Sequence, residues 1–377
     1  MISKADQKNG LVTELLRYLK WCFNVLVVGV YPERDWQGNL CEKRGQQINT
    51  GDYKGALIQV RGDWEFFTLP EVLAFQRWDA VERMCWCCKA SNNLLSPLLW
   101  SGDGWRGTDT SHEEYIAALV AEGIPVPILM GILTLRKEGC VIDGLHSMDQ
   151  GITSRILANI LVEMCQKGHW GGTQSLQVAG LEKEIKVWYK QNPDRHRIQG
   201  KLTWARLKAS GDWPVLKAKA ASTRHLTTFV KELTVKYGDG SPHDDRVKGL
   251  AHVLDRIYEI LKNEPRKMSD SSKLELKELS QLLKGLYLTL AEEAALDPVR
   301  MWKITAKLHL VQHLLETQVD FQNPRFDTTY KDEDLQRIIK EIALSCHAAN
   351  VVHMTIYKWV ISMFEDAWPD SDDDLVE

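Results

Sequence analysis

A short apolar run that stops on a carboxylate and passes at once into a helix-periodic segment constrains this chain more than any other feature. In GCVIDGLHSMDQGITSRILANILVEMCQKG (139–168), Cys140-Val141-Ile142 meets Asp143, followed by Gly144, His146 and Asp149. An amphipathic helix is predicted from about Ile152 to Glu163. The run reads as a buried strand with Asp143 at its carboxyl end. A second run behaves alike: KGALIQVRGDWEFF (54–67) is apolar from Ala56 to Val60 and ends near Gly62-Asp63. Strands that alternate with helical segments predict an α/β (α+β) chain.

The remaining segments fit around these two. Leu11, Leu15, Leu16 and Leu19 give a helical pattern over 11–31, which YPERDWQGN breaks with Pro32 and Gly38. Residues 39–54 are polar and loop-like, and a helix with Val72, Phe75 and Val81 is predicted after the second run. Residues 92–111 are loop, EEYIAALVAEG is a short helix closed by Gly123, and the two prolines of IPVPILMGILTL make it a poor central strand. From Pro242 the chain is helical, with Leu250, Val253, Leu254, Ile257 and Leu261 on one face. DPVRMWKITAKLHLVQHLLET is predicted to open a helix on Asp297 as N-cap with Pro298 first. NPRFDTTYKDEDLQRIIKEIAL reads as a loop entering a helix, and DAWPDSDDDLVE as an acidic tail. The expected divisions are an N-terminal helical segment (1–50), a first core part with the cysteine block (51–175), a helical insertion basic in its first half (176–300), a second core part with the acidic helix (301–366) and the tail (367–377).

Length and charge narrow the class. With 377 residues the chain is long enough for two or three domains, or for one core carrying a large insertion. A net charge of −4 supplies no global attraction to nucleic acid or anionic lipid, so local charge must decide. Eight irregularly spaced cysteines, three of them in MCWCCKAS, point to a reducing, intracellular compartment (nuclear or cytoplasmic) rather than to a disulfide framework. The polar start MISKADQKNG is not a signal peptide, and no run of ~18 apolar residues predicts a membrane span.

Three places carry candidate chemistry. Asp63 and Asp143 at strand ends and Glu333 near a helix start form a set that can converge on divalent cations, which take oxygen ligands on rigid elements. Asp63 is equally suited to cap a helix holding Trp64, Phe66 and Phe67, Asp149 to cap the helix after it, and Glu333 to be a solvated first-turn acid. Cys85 and Cys88 have the spacing of half a zinc site. His309 and His313, one turn apart, would complete a Cys2His2 set, but we read them first as helix residues packing beside Leu308 and Leu315. Between 181 and 240 there are 13 Lys and Arg against 6 Asp and Glu, with Trp188, Tyr189, Trp204 and Trp213 interleaved. Such a stretch can track a DNA backbone through residues such as Lys217, Lys219 and Arg224. The alternative is a solvated helical surface with its tryptophans turned inward.

Several blocks, taken in order, resemble the DDE transposases, near the Plavaka and KDZ-type cut-and-paste groups. They are LLRYLKWCFNVLVVGVYPERDWQGN, GALIQVRGDWEFF, CWCCKASN, VIDGLHSMDQGITSRILANIL, PVLKAKAASTRHL, and KLHLVQHLLE followed by NPRFDTTYKDEDL. The resemblance implies a ribonuclease H-like mixed sheet interrupted by a large all-helical insertion. It also implies metal-dependent DNA strand cleavage and transfer. Asp63, Asp143 and Glu333 would hold two Mg²⁺ or Mn²⁺ ions, with His146 beside Asp143, and Asp332 and Asp334 compete with Glu333 for the third place. Cys85 and Cys88 would belong to a zinc site, DNA would be the partner, and a homo-oligomer is allowed. The blocks begin almost at the amino terminus, with no DNA-binding domain before them, so a fragment or decayed copy is an expectation too. Two other readings stay open: a catalytically inactive, domesticated DNA- or protein-binding domain, and a helical scaffold with a zinc knuckle.

Overall fold

The computed structural model describes residues 10–51, 53–74, 84–208, 213–296, 299–347 and 350–367. Two compact units divide the chain: Lys4–Thr328, which carries nearly all of the core, and a second to which Thr329–Glu377 belong. In the first, helix α1 (Leu11–Val28) precedes a looped stretch that reaches strand β1 (Val60–Gly62) and the single turn α2 (Trp64–Phe67). Helix α3 (His112–Ala121) and strand β2 (Cys140–Ile142) follow. A π-helical segment, Leu145–Thr153, then runs directly into α4 (Ser154–Gln166). Beyond it lie α5 (Gln174–Gln191), α6 (Trp204–Leu207), α7 (Ala220–His225), α8 (Thr227–Tyr237), α9 (Pro242–Asn263), α10 (Asp270–Ala294) and α11 (Lys307–Glu316). The second unit contains α12 (Tyr330–Leu344) and α13 (Val351–Ala367).

Helix α4 is the hub. Ile156, Leu157, Ala158, Ile160, Leu161 and Val162 are all at most 1% exposed, and the polar stripe of Asn159 and Glu163 is covered too, so the helix is buried nearly all round. Helices α5, α6 and α8 pack on it. Helices α9 and α10 pair lengthwise, each started by a serine whose hydroxyl accepts a backbone N–H of the first turn, Ser241 and Ser269. Around α1 it is Val12, Leu16 and Val25 that are buried, while Leu11 and Leu15 stay exposed, so the buried stripe is rotated from the predicted one.

The described residues are mostly helical rather than α/β (α+β), and the expected ribonuclease H-like mixed sheet is not present among them. β1 and β2 pair in parallel, with Val60 opposite Cys140 and Gly62 opposite Ile142, and this is the only sheet among the described residues. Side chains take the place of a third strand beside β2. The Gln318 amide accepts from Ile142 N (3.0 Å) and donates to Ile142 O (3.2 Å), and Trp86 Nε1 donates to Cys140 O (2.9 Å). The backbone groups that another strand would need are therefore already matched. The double-proline run contributes a 3₁₀ turn, Leu129–Gly131, and no strand.

Two other predictions shift. Phe75, Val81, Asp297 and Pro298 lie outside the described residues, so the helix predicted around Val81 and the cap at Asp297 are not described. The helix predicted from there begins only at Lys307. Ahead of it, Trp302 adopts φ +55° and is held by its own backbone N–H on Asn159 Oδ1 (2.8 Å) and its Nε1 on Glu163 (2.6 Å). That buried anchor fixes the chain in a non-helical course.

His243, on α9, bridges Glu163 of α4 (3.2 Å) and Glu293 of α10 (2.8 Å), and Arg246 also pairs with Glu293. The Glu163 bond, together with Glu293, outweighs burial and lifts the imidazole from 6.5 to about 9. A raised folded pKa gives stability that is complete below pH 6.5 and lost as pH climbs through 9. Because the ring is over a third exposed, screening keeps the contribution small. Urea midpoints should fall between pH 6.5 and 9 in the wild type and change less in His243→Gln. Parallel curves for the two proteins would remove the bridge from the account.

Candidate metal centre

The C-x-x-C segment is held from three sides before any metal is considered. Trp86 is tied to β2 through its indole, and the backbone N–H of Thr110 donates to Cys87 O (3.0 Å). The buried ammonium of Lys137 donates to Trp86 O (3.0 Å), to Thr110 Oγ1 (2.8 Å) and to Thr110 O. Across from this turn runs α11, where His309 and His313 fall one turn apart on the same face. Their Nε2 atoms lie 3.4 and 3.2 Å from Cys88 Sγ. One ligand atom from each of Cys85, Cys88, His309 and His313 falls within 4.8 Å of all the others, and all four residues are buried. A tetrahedral Cys2His2 site requires a sulfur–nitrogen separation of about 3.5 Å, so the group could hold a metal ion.

The surroundings favour the ligand form at His309 and Cys85 and oppose it at Cys88, whose thiol is pushed up by its bond with Cys85 and by burial. Burial lowers the pKa of His309 and keeps its imidazole neutral. Burial would raise the Cys85 thiol, but bonds from Cys87 and Cys88 and the neighbouring histidines bring it well below the usual thiol range. Trp105 stacks against both rings, with centroids 4.3 Å from His309 and 4.9 Å from His313, and shuts the cluster off. Both Nδ1 atoms are buried without a hydrogen-bond partner, which departs from the usual outer bond of a metal-bound histidine. The apolar residues here, Met84, Ala90, Trp105 and Ala306 with the two cysteines, form a small core separate from the main one. His309 and His313, read first as packing beside Leu308 and Leu315, also turn their Nε2 atoms to Cys88. The i, i+4 spacing was a visible signal and the Cys2His2 set was its second reading from sequence, with no local feature to favour it over simple packing.

A second group lies at the carboxyl ends of the strands. Because Gly62 pairs with Ile142, the next residues, Asp63 and Asp143, leave the sheet side by side. Asp63 caps α2, its Oδ1 accepting from Phe66 N (2.8 Å). Asp143 is 3% exposed and accepts from the backbone N–H groups of Leu145 (3.0 Å) and His146 (3.1 Å) and from the His146 ring. The π-helical segment starts right after it, and Gly151 is needed there because a Cβ would come 2.9 Å from His146 O. Lys307 Nζ donates to that same carbonyl (2.9 Å). Burial and Arg155 lower the Lys307 pKa, while the charges of Asp143 and Asp63 oppose them. Asp149 does not cap a helix; it is buried within the π-helical segment and bonded to the Tyr258 hydroxyl.

The other candidates are elsewhere. Glu333 occupies the first turn of α12 in the second unit, where Asp332, Glu333 and Asp334 are exposed. The first unit by itself thus assembles a carboxylate pair. Lys217 and Lys219 are exposed ahead of α7, and Arg224 on α7 reaches Asp149 at 3.9 Å. Trp188 is 4% exposed and Tyr189 is 5% exposed, so these two rings face inward. No helix among the described residues is long and apolar enough to cross a membrane.

Comparisons with protein-family models, with curated proteins and with solved structures return no match. Function therefore has to be argued from the site.

Cobalt(II) added to reduced protein should give the intense visible bands of a tetrahedral sulfur–nitrogen site and saturate at one equivalent per chain. Replacing a direct ligand, Cys88→Ser or His309→Gln, should weaken binding by more than the ~10–100-fold typical of outer-shell changes. Octahedral cobalt spectra, or no change in the variants, would dismiss the cluster as a metal centre.

Proposed function

We propose that this protein is transposase-like and cleaves DNA strands with divalent cations, its fold stapled by a zinc ion. The observation that carries the reading is the Gly62–Ile142 pairing, which sets two aspartates next to each other at parallel strand ends. Asp63 and Asp143 would be ligands to Mg²⁺ or Mn²⁺. Carboxylate oxygens suit such hard cations. When bound, a cation pair activates a water, then a 3′-hydroxyl, and stabilises the leaving oxygen. His146 orients Asp143 through its ring, and Lys307 offsets the charge of both aspartates. The ordered blocks resembling DDE transposases support the same reading. A closed set of two thiolates and two imidazoles suits a structural zinc ion, with no position left for substrate.

One observation favours a second reading, a binding domain that has lost catalysis. Three N–H donors already occupy the Asp143 carboxylate, and Asp63 Oδ1 is engaged as a cap.

The test is nicking of end-labelled DNA in Mg²⁺ or Mn²⁺ by wild type and Asp143→Asn. Loss of a metal ligand should reduce the rate by ~100-fold or more. Equal rates would sink the nuclease reading, and DNA binding without cleavage by either protein would favour the inactive domain.

A further inference from the structure

A cleft of about 470 Å³ opens beside the Asp143 turn, bounded by Gly144, α7, α8, α9 and the Pro324–Thr328 segment. Its volume is that of a small-ligand site. Five Lys or Arg residues line it (Arg195, Arg224, Lys231, Lys262 and Arg325), with His225 and three acids. The acids are each matched within the protein. Asp149 takes the Tyr258 hydroxyl and Arg224, Asp255 takes Lys231 and Thr228 Oγ1 (2.8 Å), and Glu259 takes Arg256 (2.9 Å).

The remaining cations are not matched. Arg195 has its Nε buried with no hydrogen-bond partner. Arg325 donates only to a carbonyl, Lys262 O (2.6 Å), and no carboxylate pairs with it or with Lys262 among the described residues. His225 Nδ1 accepts the backbone N–H of His196 (3.0 Å). In a neutral imidazole the proton then sits on Nε2, which is left to donate. Burial first, then the charges of Arg224, His196, Arg195 and Lys262, push this histidine down to about 4, which keeps its ring neutral. Unpaired positive charge with donors and little counter-charge fits an anion. Arginine in particular suits phosphate oxygens.

We propose that this cleft binds a phosphate group, that of a DNA strand led past Asp63 and Asp143. Arg195, Lys262 and Arg325 would contact the phosphate oxygens, with His225 donating from Nε2. The choice of DNA as the source rests on the nuclease reading; the affinity for phosphate does not.

The experiment is fluorescence anisotropy of a labelled single-stranded oligonucleotide with zinc-loaded protein and no added Mg²⁺ or Mn²⁺, so that cleavage plays no part. The cleft variant combines Arg195→Gln, Lys262→Gln and Arg325→Gln. The control combines Lys43→Gln, Lys89→Gln and Lys248→Gln, exposed positions that do not line the cleft. Equal melting temperatures establish that both fold. The cleft variant should bind at least ~10-fold more weakly, and three lost contacts should reduce its log affinity–log salt slope by ~2. The control should stay near wild type, and pyrophosphate should compete with the oligonucleotide on the wild type. Equal losses in both variants, or an unchanged cleft variant, would overturn the site. Pyrophosphate binding that the cleft variant loses, with no oligonucleotide binding at all, would keep phosphate and overturn DNA as its source.

Discussion

The meeting of a cysteine turn with one helix, far apart in sequence, is the constraint on which the rest of the first unit depends. Cys85 and Cys88 face His309 and His313 within a small core of their own, shut off by Trp105. Few apolar side chains surround this cluster, so packing alone gives it little hold. A cation bound by four inward donors would supply the missing cohesion, as structural zinc does in small domains. The consequences spread outward. The turn is tied through Trp86 to β2, and α11 is tied through Lys307 to the π-helical segment that follows Asp143. An ion held there would thus fix both sides of the carboxylate pair.

The carboxylate pair depends on an unusually small sheet. Three residues of β1 and three of β2 suffice because side chains close the second strand, with Gln318 matching both polar groups of Ile142. In most α/β proteins ligands gather at the carboxyl ends of parallel strands, and Asp63 and Asp143 stand at the same place here, with helices supplying the bulk of the core. The π-helical segment belongs to this arrangement. Wider turns of this kind occur often at functional sites, and this one presents the His146 ring to Asp143 and the His146 carbonyl to Lys307.

What the sequence revealed follows from which forces are local. The helices of 242–294 were legible because their apolar spacing and serine caps act within a few residues. The strand ending before Asp143 was legible as an apolar run stopping on an acid; the run ending near Asp63 was legible only at its end, since β1 is Val60–Gly62 and Ala56–Gln59 lie outside it. The sheet size was not, since nothing local announces that a glutamine 176 residues away will stand in for a strand. Trp302 is another case: its non-helical course is set by Asn159 and Glu163 of α4. Of the cleft cations, Arg195, Arg224 and Lys231 were visible as part of a basic stretch and Lys262 and Arg325 were not, and the lack of partners is a property of the assembled fold.

Zinc-edge X-ray absorption on the purified, reduced protein tests the central claim most directly. The account predicts four-coordinate zinc with two sulfurs at ~2.3 Å and two nitrogens at ~2.0–2.1 Å. A shell of oxygen and nitrogen alone, or zinc released by mild dialysis with the fold intact, would contradict it.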